Sequence, residues 1–169
     1  MIVLVCIVIS AVAITYINNK NSVKTPIDNL INAINNNDIS EIPKSFHEYC
    51  SLAIEQDLSK RAFETYIESV SLDVGGNFKM SYEITNKNAL SKDAIERHES
   101  YAKFEYSNYP YLLNGGNLEF ENVYEVLVNI EVKGPDQEKH MNVDFLIVEI
   151  NGKYYLLPEP NSIMSMFII

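Results

Sequence analysis

Three histidines, two cysteines and a scatter of tyrosines are the side chains here that could do chemistry. His47, His98 and His140 stand far apart, and no HxxxH or HExxH spacing puts two of them on one helix face, as a zinc site requires. Nucleophilic catalysis needs a serine or cysteine beside an oriented base, and no GxSxG is present. Gly75-Gly76 and Gly115-Gly116 lack the lysine or glycine spacing of a phosphate loop and read as turns. Cys6 and Cys50 form no CxxC and no disulfide framework, and Cys50 falls at an apolar helix position as a small hydrophobe. What remains is a carboxylate or histidine in an apolar pocket beside tyrosines, where burial can poise a general base. The cavity candidates are Tyr66, Tyr82, His98 and Tyr124, with Cys50 and Asp144 behind them. No spacing sets one of these groups against another. His98 reads as a satisfied, half-buried histidine, Asp144 as a wet-face strand residue, and His47-Glu48 as a solvated helix face. No catalytic residue, metal ligand or cofactor is expected.

A second chemistry is recognition. Eleven tyrosines and seven phenylalanines occur against no tryptophan, and Tyr101, Phe104, Tyr106, Tyr109 and Tyr111 crowd one segment. Tyrosine offers rigid contact area and a hydroxyl, so Tyr101, Tyr106, Tyr109 and Tyr111 form a candidate ligand or partner surface. The plainer reading is that these rings close one end of the fold. The tail Ile163–Ile169, IMSMFII, is too short to span a membrane. It either adds to the core as an edge strand or presents an apolar patch.

The elements that must position these residues follow from periodicity. Thr25 caps a first helix with Pro26 in its first turn and Ile27, Leu30, Ile31 and Ile34 along one face; Asn35-Asn36-Asn37 ends it. A second helix is expected from about Ser40 to Gln56, with Ile42, Phe46, Tyr49, Cys50 and Ala53 as its stripe. Ser59 opens a third, with Phe63, Tyr66, Ile67 and Val70 inward. After Gly75-Gly76, the alternation of Phe78, Met80, Tyr82 and Ile84 marks a strand. Ser91 caps a fourth helix, with Leu90 and Ile95 placed as a hydrophobic staple and Ile95, His98 and Ala102 facing inward. Asn114-Gly115-Gly116 breaks the chain. Leu118 to Val132 then alternates as a long strand, wet on its Glu119, Glu125 and Glu131 side. Gly134-Pro135-Asp136 turns into a return strand from His140 to Ile150, apolar on both faces near Phe145 to Val148 and therefore central. Asn151-Gly152 is the favoured two-residue hairpin turn, and Tyr154 to Leu157 is the last strand.

Ile2 to Ile17 carries no charge, and nothing charged appears until Lys20. Sixteen residues of helix rise about 24 Å against a bilayer core of about 30 Å, a gap that snorkelling by Lys20 and local thinning can close. Residues 2–17 are read as an uncleaved membrane anchor. The rivals are a cleaved signal, for which Ala11-Val12-Ala13 gives a small-x-small site, and a buried helix. Leu4 and Val5 are too bulky for a lipidated cysteine at Cys6. The domain division is then 1–17 anchor or signal, 18–24 linker, 25–160 domain and 161–169 apolar tail. All of the net charge of −10 lies after the anchor, which opposes binding to nucleic acid and to anionic lipid beyond the anchor itself. Lys20 and Lys24 alone lean toward a cytoplasmic domain.

Segregated helices and a three-strand meander argue α+β, with helices packed on a curved antiparallel, cone-like sheet. The order from Ile27 to Leu157 resembles the nuclear transport factor 2-like (cystatin-like) superfamily. The carrying residues are Leu30-Ile31-Asn32-Ala33-Ile34 with Asp38-Ile39, and Val148-Glu149-Ile150-Asn151-Gly152-Lys153-Tyr154-Tyr155-Leu156. The latter is similar to the Gly-Lys-Trp-Tyr ending of bacterial extracytoplasmic members, with Tyr154 in place of tryptophan. The resemblance extends to small membrane-anchored clostridial proteins. It implies a domain outside the cell, single-pass in the membrane, which outweighs the two lysines. The expected function is a membrane-tethered, extracytoplasmic, non-catalytic binding module that meets the membrane through residues 2–17 and an envelope protein partner through its surface. The alternatives are an enzyme or small-ligand binder using a cavity between helices and sheet, and a structural subunit of an envelope complex.

Overall fold

The structure, a computed structural model, describes residues 22–48, 50–51, 60–106 and 118–157. The expected anchor, Tyr49, Ala53, Tyr109, Tyr111, the Asn114-Gly115-Gly116 break and the tail lie outside these residues, as does the side chain of Tyr106. Among the described residues no helix is long and apolar enough to cross a membrane. The α+β expectation is met. Helix α1 (Lys24–Asn35), a 3₁₀ helix (Ile39–Ser45) and α2 (Lys60–Val74) precede β1 (Lys79–Ala89). Helix α3 (Lys92–Tyr106) then leads to β2 (Asn122–Lys133), β3 (Glu138–Ile150) and β4 (Lys153–Leu156). The strands form one antiparallel sheet in the order β1-β2-β3-β4.

Helix α1 buries the apolar stripe read from its spacing: Ile27, Leu30, Ile31 and Ile34. Its start differs from expectation. The helix begins at Lys24, and the capping position falls on Val23 with helical backbone and no side-chain bond. Thr25 lies inside the first turn, where its hydroxyl accepts the Ser22 N–H at 3.3 Å. Asn36 and Asn37 end the helix as expected, Asn37 with φ of 52°. Its Asn35 side chain reaches β1, donating to the Met80 carbonyl at 2.9 Å and accepting the Met80 N–H at 2.7 Å. One amide thus closes the outer edge of β1 where no strand pairs with it.

The single helix expected from Ser40 to Gln56 is not formed. A 3₁₀ helix holds Ile39–Ser45, and Phe46 then turns extended at φ −117°, ψ 154°. It pairs in parallel with Leu156 of β4, and the chain is helical again at residues 48 and 50–51. Pro43 lies in the first turn of the expected helix, where its missing N–H costs nothing; the break comes from the long-range bridge, which buries Phe46 against the sheet. Cys50 is buried, as its apolar position implied.

In the sheet, β2 begins at Asn122 rather than Leu118. Leu118 and Phe120 are buried ahead of it, and the Phe120 N–H goes to Glu99 of α3 at 2.8 Å. The alternation is otherwise kept, and Val126, Val128, Ile130 and Val132 share one face with Phe145 and Ile147 of β3 and Leu156 of β4. Strand β3 is central, as its two-sided apolar stretch implied. Helix α1 contacts both edge strands, β1 and β4, so the sheet curls around it. Asn151 and Gly152, both at positive φ, make the β3–β4 turn. Gly134 sits where a Cβ would strike Val74 at the end of α2, which fixes the β2–β3 hairpin against that helix.

Candidate functional site

Side chains alternate across a strand, so the β3–β4 hairpin presents two different surfaces. Glu149 and Tyr154 share the inner face with Tyr124 and Asn122 of β2, while Ile150, Lys153 and Tyr155 take the other face. Each surface carries a cluster of polar groups.

On the inner face, one oxygen of Glu149 accepts from Asn122 Nδ2 at 3.0 Å and from the Tyr124 hydroxyl at 3.2 Å. The rings of Tyr124 and Tyr154 lie 6.1 Å apart, and Lys87 Nζ stands 4.0 Å over the Tyr124 ring. The bulge between Ile84 and Asn86 brings Lys87 onto this face, opposite Val126. Burial, followed by the Glu149 charge, pushes the Tyr124 phenol up to about 12, and the same causes raise Tyr154. Both phenols are therefore donors at neutral pH. This is a mutually satisfied set of groups.

The other face carries a groove of about 510 Å³. One wall is the 3₁₀ helix and the turn after it, with Pro43, Lys44, Phe46 and His47; the other is Ile150, Lys153 and Tyr155 of the hairpin. The extended conformation at Phe46 creates the groove, because it wraps the chain around the β4 edge. His47 lies half-buried with its ring edge-on to Tyr155, centroids 4.9 Å apart. This corrects the reading of His47-Glu48 as a solvated helix face: only Glu48 is exposed. Burial lowers the His47 pKa below its ordinary value; Glu48 opposes this and Lys153 adds to it. Burial, then the Glu48 charge, raises Tyr155.

The sequence candidates do not converge. Tyr66 is buried on α2, and burial pushes its phenol up to about 12. Tyr82 donates to Asp28 of α1 at 2.6 Å, and burial raises it further than that hydrogen bond does. Tyr82 pairs with Ile130, six residues along β2 from Tyr124, so the two phenols stand roughly 20 Å apart along the sheet. His98 is half-buried on α3, and Asp144 is exposed on β3. Neither side chain makes a hydrogen bond among the described residues. Tyr101 is exposed at 39% on α3. No group of three His, Cys, Asp or Glu able to hold a metal occurs among the described residues. Sequence reasoning missed Glu149, Lys44 and Lys153. The last two are far apart in the chain, and only the hairpin and the Phe46 bridge bring them together.

These features define an α+β domain with a curled four-stranded antiparallel sheet and a groove on its outer face. No protein-family model, curated protein or solved structure matches the chain.

Proposed function

We propose that the chain is a membrane-tethered, extracytoplasmic, non-catalytic binding module of the nuclear transport factor 2-like type, and that its groove is the binding site. The observation that carries this is the groove itself, lined by lysines and aromatic rings on an otherwise acidic chain. The helices and curled antiparallel sheet are the coarse form of the cone expected of that superfamily. Residues 2–17 serve as the anchor, leaving the groove free to meet a ligand or an envelope partner. The enzyme alternative draws on Glu149 beside Tyr124, but these groups bond to one another, which suits holding a hairpin better than transferring a proton.

The test uses a full-length Lys153→Cys variant treated in intact cells with a membrane-impermeant maleimide. Labelling before lysis is expected, and the low-molecular-weight fraction of spent medium should slow it. Lys92→Cys on α3 should be labelled at the same rate with or without that fraction. Labelling of Lys153→Cys only after lysis would reverse the orientation. Equal protection of both cysteines would remove the groove as the site.

A further inference from the structure

We infer that the groove takes a small organic anion, with one carboxylate or phosphate group on an aromatic or aliphatic body. This rests on the groove being the binding site and goes further by naming what fills it.

Charge is the first argument. With 23 acidic against 13 basic side chains, a patch of this surface is expected to be acidic. Among the described residues, the groove lining carries two lysines, Lys44 and Lys153, and the imidazole of His47 beside one carboxylate, Glu48. Lys44 is held by Glu41, which lies outside the lining, at 2.6 Å. That contact uses one of its three N–H donors and leaves others for a ligand. Lys153 enters no ion pair among the described residues. Burial, opposed by Glu48 and aided by Lys153, lowers the His47 pKa and so disfavours its charged form. Glu41 balances the Lys44 charge, and Lys153 is the lining lysine left without an ion pair among the described residues, placed to meet one anionic group.

Shape is the second argument. A volume of about 510 Å³ falls within the range of roughly 300–1,000 Å³ typical of small-molecule sites. Phe46, Pro43, Ile150 and Tyr155 supply an apolar and aromatic lining beside the lysines. A ligand body can lie there while its anionic end meets Lys153. A polyanion would meet Glu48 and the acidic surface around the groove, so one anionic group fits better than several.

The experiment titrates full-length protein in detergent micelles, labelled with 3-fluorotyrosine, the Tyr155 signal being assigned with Tyr155→Phe. Four probes are compared: phenylacetate, phenyl phosphate, phenylacetamide and phenethylamine. The two anions should shift the Tyr155 signal saturably, about tenfold more tightly than the amide, as one charge-assisted hydrogen bond implies. Lys153→Gln should weaken phenylacetate by about fivefold, and Lys92→Gln should leave it unchanged. Equal binding by the amide or the amine would overturn the anion and leave the groove standing. Silence of Tyr155 to all four probes would overturn both. A hexaglutamate peptide that shifts Tyr155 where phenylacetate does not would replace the small ligand with an acidic chain.

Discussion

At the scale of single residues, the chain solves a recurring problem: polar groups at the rim of an apolar sheet. Asn35 is the simplest case, pairing both backbone groups of Met80 with one amide. Asn35→Ala should cost about 1–3 kcal/mol, because it leaves a part-buried N–H and C=O without partners. Asn32→Ala, exposed on the same helix, should shift stability by less than about 0.5 kcal/mol. Urea midpoints of the two variants decide this. The phenols give a pH prediction. Tyr66 and Tyr124 are raised from 10.0 to about 12, so folding favours their neutral form. Unfolded chains lose these protons first, so stability is full below pH 10 and falls as pH rises toward 12. Urea midpoints at pH 8 and pH 11 should show the fall. Glu149→Gln should bring the Tyr124 titration down by removing the neighbouring charge, which ring absorbance can follow. The burial of Tyr66 was legible in its helical spacing, but the Asn35 and Glu149 contacts were not: Asn35 reads locally as a helix end, and Glu149 as one of many strand glutamates.

At the scale of elements, legibility tracks how local the determining forces are. The β2–β3 register follows from alternation and the Gly134-Pro135-Asp136 turn, and both were readable. The turn at Asn151-Gly152 was readable because two residues at positive φ suit that pair of types. The helix expected over Ser40–Gln56 failed because a residue more than a hundred positions away, Leu156, claims Phe46 for the sheet. Apolar periodicity cannot register such a partner. The face assignment of β2 can be tested directly. Val128 is fully buried, and Val128→Asp should cost roughly 3–5 kcal/mol. Glu131→Gln, on the other face and 3.3 Å from the Ser81 hydroxyl, should cost less than about 1 kcal/mol. Equal losses on denaturation would mean the faces are reversed. Gly134→Ala should cost about 1–3 kcal/mol, since its methyl would strike both the side chain and the carbonyl oxygen of Val74.

At the scale of the whole molecule, the question is whether the apolar run at residues 2–17 belongs to a membrane or to the core. The buried cluster of the described residues begins at Val23 and draws on both ends of the domain, from Ile27 and Leu30 to Leu156 and Leu157. The inner sheet face already has α1 reaching both of its edges and α2 docked at the β2–β3 hairpin. The sixteen residues of that run are thus not needed to fill that face, and the proposed anchor would bury them in lipid instead. Two measurements separate the possibilities. The full-length protein should stay with membranes through a high-salt wash, and deleting residues 2–17 should release it to the soluble fraction. The released domain should unfold at the same urea midpoint as the full-length chain in micelles, because its core loses nothing. A soluble full-length protein would refute the anchor. A deletion that lowered the midpoint by the equivalent of several kcal/mol of unfolding free energy, the scale of a lost core helix face, would show that the run packs against the domain instead.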